Sequence, residues 1–154
     1  MRTLHRLIVF GLALLLTSNL YAQSATNSAL RRELLKRGGQ DQAIRNELIK
    51  KGIEHPDSSV LARMQAIDDS NTKRMRAIVR QHGWPGPELV GKDGTEAAFL
   101  LVQHSNLAFQ KEMLPLVQNA YKSGKLSGQS YALLLDRVLV GEGKLQVYGT
   151  QAKR

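Results

Sequence analysis

DSSVLARMQAIDDSNTKRMRAIVRQH, residues 57–82, carries Val60, Met64, Ile67, Met75 and Ile78 at helical spacings. Steps of three and four gather these side chains on one face of an α-helix, whereas a strand would need alternation. Asp57 or Ser58 suits an N-cap, so a long helix is predicted from there to Gln81 or His82. Two polar residues, Asn71 and His82, continue the apolar stripe, and Asp68 and Asp69 flank it. A buried polar group left unpaired costs about 1–3 kcal/mol, so those on the stripe need partners on other elements. Lys73, Arg74, Arg76 and Arg80 cover the remaining surface and read most simply as a solvated face.

Working outward, the same period recurs on both sides. A first helical stretch is expected from Ala29 to Arg37, stopping at Gly38-Gly39, and a second from Asp41 to Lys51, stopping at Gly52. The loop GWPGPELVGKDG follows residue 82, and Asp93 or Thr95 can cap a fourth helix through His104. A fifth runs from Leu107 to Lys122 after an interruption at Asn106, and a sixth from Ser127 to Val140. Gly141 and Gly143 disfavour continuing it, so GEGKLQVYGTQ reads as extended or irregular. With three Phe, four Pro and no alternating β-branched runs, the expected fold is all-α. It is a compact bundle of about five or six helices with an extended or irregular C-terminal segment.

The N-terminus, MRTLHRLIVFGLALLLTSNLYAQS, has the plan of a secretory signal peptide over residues 1–22. Arg2 and Arg6 precede an apolar run from Leu7 to Leu16, and Ala22 suits the position before cleavage. That run is shorter than the roughly 20 residues needed to span a bilayer; a retained N-terminal anchor is the alternative. The chain is thus expected to be exported, periplasmic or secreted, without a transmembrane helix in its mature part. Residues 23–28 form a polar lead-in, 29–151 one helical domain and 152–154 a tail. The absence of Cys leaves stability to a hydrophobic core rather than disulfides. Loss of Arg2 and Arg6 lowers the formal net charge from +9 to +7. The basic residues interleave with Glu and Asp along the chain, so this excess favours a small molecule or a protein over nucleic acid as partner.

Chemistry is sought where polar residues interrupt apolar faces. His104 falls on the inward side of the fourth helix with Ala97, Leu100 and Leu101, beside Gln103. In YALLLDRVLV, residues 131–140, Asp136 and Arg137 interrupt a stretch apolar on nearly every side. A carboxylate buried there requires an Arg, a His or several N–H donors. Trp84 is either a core plug or a stacking wall of a ligand site. His55, His82 and His104 form no HxH or HExxH pattern, so no metal site is expected, and no cofactor is indicated. No nucleophilic Cys, G-x-S-x-G elbow or phosphate-binding loop is present.

An ordered set of motifs ties these positions together: Asp41-Gln42 with Arg45, Asp69 with Asn71, Gly83-Trp84-Pro85, Gln103-His104 and Asp136-Arg137. It closes with Gly143 and Gln146 before Tyr148-Gly149-Thr150-Gln151. The set resembles a bacterial family catalogued as a domain of unknown function, over nearly all of the chain after the leader. The resemblance implies a shared helical fold and, in many members, secretion; it implies no activity. Members often continue past YGTQ with a further segment, whereas this sequence ends at Arg154.

Two functional expectations follow. In the first, a polar pocket binds a ligand or catalyses a reaction, with His104 as acid–base group and Asp136 orienting it or holding Arg137. Asp41, Gln42, Arg45, Asn71, Trp84, Gln103, Arg137, Gln146, Tyr148 and Gln151 are the ligand-binding candidates. In the second, the chain is a non-enzymatic interaction module and the same residues form a structural network. Either way Gln146, Tyr148 and Gln151 are expected to fold back onto the helices near His104 and Asp136, with Gly149 permitting the turn.

Overall fold

A computed structural model describes residues 26–152. The expected signal peptide, residues 23–25 of the polar lead-in and the last two residues lie outside the described residues. The described chain forms five helices and no strand: α1 (Ser28–Lys51), α2 (Ser58–His82), α3 (Pro87–Gln103), α4 (Leu107–Lys122) and α5 (Gly128–Gly141). Among the described residues no helix is long and apolar enough to cross a membrane.

Each helix starts where a short polar side chain can satisfy free N–H groups, with one exception. Asn27, Asp57, Asn106 and Ser127 accept from Leu30, Ser59, Phe109 and Ser130 respectively. The exception is α3, which begins behind Gly86 with Pro87 in its first turn, where a missing N–H costs nothing. The backbone of Thr26 and Asn27 donates to Glu88 O and Leu89 O, tying the entry of α1 to the start of α3.

The two helices expected over 29–51 are one. Gly38-Gly39 does not break α1; Gly38 is buried where the helix packs on α3, its Cβ position 3.4 Å from Ala97 Cβ. Burial of Leu30, Leu34 and Ile44 on the same helix outweighs the propensity penalty of about 1 kcal/mol per glycine. The expected GWPGPELVGKDG loop is also partly helical. Its Pro87–Val90 turn joins α3 across a kink at Gly91, whose φ of 73° a side chain would strain. Thr95 is no cap: its buried hydroxyl lies 3.0 Å from both Pro85 O and Gly91 O and pins the kink.

Helices α1 and α2 run antiparallel, as the pairs Arg63–Glu47, Arg45–Asp68 and Arg74–Glu33 require. Helix α3 packs against α1, α2, α4 and α5 and supplies Ala98, Leu101 and Val102 to the core. Met75 and Ile78 of α2, Phe109 and Val117 of α4, and Leu134 of α5 complete it. The basic face of α2 is not uniformly solvated. Arg74 makes two 2.7 Å bonds to Glu33, and Arg76 pairs with Glu112 while covering the Phe109 ring. His82, expected to extend the stripe inward, is exposed at the end of α2.

Candidate functional site

Helix α1 delivers Asp41 and Arg45 one turn apart on the face that meets α2 and the C-terminal end of α3. Asp41 is 0 % exposed, and its carboxylate accepts from Arg45 Nη1 at 2.8 Å and from the exposed Gln42 amide at 3.3 Å. The third partner is His104, the C-cap residue of α3, whose Nδ1 lies 2.7 Å from Asp41 Oδ2. Arg45 turns its Nη2 to α2 and reaches both oxygens of Asp68 at 3.0 Å. Burial pushes the Asp68 carboxyl above its ordinary range, the Asp41 charge adds to that, and Arg45 and His104 offset only part. His104 is partly exposed, and its Nε2 is bonded to no described residue.

The C-terminal end of α3 is held by two side chains from later in the chain. Gln110 donates to the carbonyls of Gln103 and Ser105 at 3.0 and 2.8 Å, and Arg137 Nη1 donates to Gln103 O at 3.2 Å. These bonds satisfy carbonyls a helix end leaves free, and they fix the residue before His104. Arg137 is itself half-buried. Burial lowers its pKa, and the charge of Arg45 lowers it further.

Asp136 belongs to a second centre and makes no hydrogen bond or ion pair with His104 or Arg137 among the described residues. Its carboxylate is 0 % exposed and accepts from Val147 N at 2.7 Å, Tyr148 N at 3.0 Å and Thr150 N at 2.9 Å. The Thr150 hydroxyl adds a fourth donor at 3.0 Å. Burial alone would raise the Asp136 pKa, but these donors outweigh it and the carboxyl ends below its ordinary value. Successive N–H groups arranged around an anion form a backbone nest, here filled by the protein's own carboxylate. Gly149, at φ 71°, makes the turn that aims them. No hydrogen bond joins Asp136 to His104 among the described residues, because these donors occupy both of its oxygens.

The end of the chain does fold back, as expected, but onto α5. Gln146 and Gln151 close the loop reciprocally: Gln151 N donates to Gln146 Oε1 at 2.9 Å and Gln146 Nε2 to Gln151 O at 3.1 Å. Gln151 Nε2 reaches Leu133 O at 3.3 Å, and the Tyr148 ring sits edge-on to Tyr131. Gln151 also borders a cleft of about 420 Å³ with Leu107, Gln110, Arg137 and Val140. Gln146, Tyr148 and Gln151 thus assemble beside the Asp136 nest and make no hydrogen bond to His104 among the described residues.

Two further candidates make no hydrogen bond to either centre among the described residues. Asn71 is buried on α2, where its Oδ1 accepts from Arg37 at 3.2 Å, while its Nδ2 has no partner among the described residues. Trp84 packs against the core and borders a cleft with Leu116 and Lys125, not with His104. Asp68 and Gln110 are site residues that the motif reading did not single out. Asp68 had a usable signal: it stands three residues before Asn71, one turn away on the helix, and like Ile67 it is partly buried. Among the described residues no group of three His, Cys, Asp or Glu is arranged to hold a metal ion.

Neither curated proteins nor solved structures yielded a match to this chain. A family model does match, over residues 28–153, which takes in all five helices and the Asp136 nest. By that match the chain belongs to the Family of unknown function (DUF6624).

Proposed function

We propose that this is an exported helical domain whose site at the C-terminal end of α3 binds a ligand and performs acid–base chemistry through His104. One observation carries the reading: His104 Nδ1 rests on the fully buried Asp41 at 2.7 Å while Nε2 is left to face a reactant. A carboxylate at Nδ1 holds the imidazole in one tautomer and orientation, which makes Nε2 the proton acceptor. Asp41 is then the positioning residue, and Arg45 and Asp68 fix Asp41 in turn. Asp136 is removed from the acid–base role, since its oxygens are filled by the C-terminal segment.

The test compares wild type with His104→Asn and Asp41→Asn in the mature protein. Mass spectrometry of co-purified small molecules and a panel of hydrolase and lyase substrates supply the readouts. His104→Asn is expected to melt near wild type and Asp41→Asn cooperatively but at a lower temperature, since Asp41 is buried and paired with Arg45, and both are expected to lose the ligand or the turnover. If both retain them, the acid–base role is refuted. A second reading, a structural network in a non-enzymatic interaction module, is favoured by Arg45 bridging Asp41 and Asp68. It is the conclusion if both variants unfold. Export is supported by the 1–22 leader and is checked by N-terminal sequencing of the periplasmic and secreted fractions, with Gln23 as the expected first residue.

A further inference from the structure

Thirteen ion pairs link the described residues, and Arg137 takes part in none of them. That is unusual for a half-buried guanidinium, since burying a charge without a counter-charge is costly. Its neighbour in sequence, Asp136, cannot serve, because the 147–150 backbone fills that carboxylate. Of the five N–H donors a guanidinium carries, a single bond is made among the described residues, from Nη1 to Gln103 O at 3.2 Å. Nε is fully buried and has no partner among them. Arg45 stands close enough for its positive charge to be felt at Arg137, which raises the demand for a nearby anion.

The same guanidinium borders the cleft of about 420 Å³ between α4, α5 and the returning C-terminal segment. Among the described residues no acidic one lines that cleft; its walls are Leu107 and Val140, the amide side chains of Gln110 and Gln151, and small residues. A cation with spare planar donors, in a partly apolar recess without carboxylates, matches the fork geometry of a carboxylate or phosphoryl group. We infer that Arg137 is the anchor of an oxyanion subsite, and that the molecule bound in this cleft carries a carboxylate or a phosphate group. The inference goes beyond the role given to His104 and does not depend on it. Capping of α3 through Gln103 O accounts for Nη1 alone and leaves the rest of the fork unexplained.

The experiment uses the ¹⁵N-labelled mature chain and follows the Arg137 Nε–H resonance while inorganic phosphate, acetate or chloride is added at constant ionic strength. A saturable shift with phosphate or acetate, and none with chloride, is expected; which of the two binds tighter names the group. Arg137→Lys keeps the charge but loses the fork, and should weaken binding at least tenfold, about 1.4 kcal/mol. Arg74→Gln, on the α1–α2 face, should leave it unchanged. His104→Asn, titrated in parallel, should bind the oxyanion as wild type does, so that loss of turnover there separates the two ideas. The subsite is overturned if neither oxyanion gives a saturable shift, if chloride matches them, or if Arg137→Lys binds as tightly as wild type.

Discussion

His104 Nδ1 lies 2.7 Å from Asp41 Oδ2, a contact between residues 63 positions apart. Because the carboxylate can only accept from a ring N–H, neutral His104 should carry its proton on Nδ1 and leave Nε2 bare. Free histidine prefers the opposite tautomer. ¹⁵N NMR of the imidazole is expected to show a protonated Nδ1 and an unprotonated Nε2 in wild type. In Asp41→Ala the Nε2–H tautomer should gain population. A wild-type spectrum dominated by Nε2–H would break the arrangement on which the acid–base proposal rests.

Arg45 is the one cation bonded to both Asp41 and Asp68. Its replacement by Met keeps much of the side-chain volume but strands two largely buried carboxylates. Removal of one side of a buried ion pair costs about 3–5 kcal/mol, and Arg45→Met is expected to fall in that range by urea denaturation at neutral pH. The double variant Arg45→Met with Asp68→Leu should recover part of the loss, since one stranded charge is gone. No recovery would mean that Asp68 contributes little to the network.

The nest around Asp136 gives acid sensitivity a definite sign. A carboxyl whose folded pKa lies below its unfolded value stabilises the fold above the unfolded value, and that contribution is lost as pH falls through the folded one. Wild type is therefore expected to lose stability progressively below about pH 4, where unfolded aspartates begin to protonate. Asp136→Asn places an amide N–H₂ among N–H donors and should cost about 2–4 kcal/mol at pH 7. Its acid limb should be flatter than that of wild type. Thermal melts at pH 7 and pH 3 on both proteins check this, and parallel limbs would contradict it.

Gly39 follows Gly38 inside α1 but has different surroundings. It is exposed, and a Cβ there meets nothing within 4 Å, whereas one at Gly38 would touch Ala97. Gly39→Ala should stabilise the protein by about 0.5–1 kcal/mol through helix propensity alone. At Gly38 the added Cβ would meet Ala97 in van der Waals contact, so Gly38→Ala should gain by packing as well as by propensity and exceed Gly39→Ala. Equal gains at both positions would show that the contact with Ala97 adds nothing.

The contrast between these glycines shows what the sequence could and could not disclose. Periodicity reported the long α2 and the identity of the apolar stripe, because helix faces repeat every three or four residues whatever packs on them. It could not report that Gly38 packs against Ala97, since that contact joins positions far apart in the chain. The same limit governed the site. Burial of Asp136 was legible from the apolar stretch of residues 131–140 that it interrupts, yet its partners are backbone N–H groups that no side-chain pattern encodes. His104 was recognisable as an inward polar residue, but the sequence pointed to Asp136 as the carboxylate that orients it. Only the register of α1 against the end of α3 selects Asp41.

The Asp136 nest has a last consequence, for which substitutions the C-terminal segment will tolerate. Its anchor addresses main-chain N–H groups at 147, 148 and 150, so side-chain identity at 145 and 147 is nearly free: Leu145 is 92 % and Val147 65 % exposed. What those backbone positions cannot accept is proline, which deletes a donor without touching the surface. Natural or engineered variation here should therefore be broad in chemistry and narrow in one respect. The vocabulary at 147 is limited by an imino acid rather than by size, charge or polarity, while 148 and 150 add the contact with Tyr131 and the hydroxyl donor to Asp136.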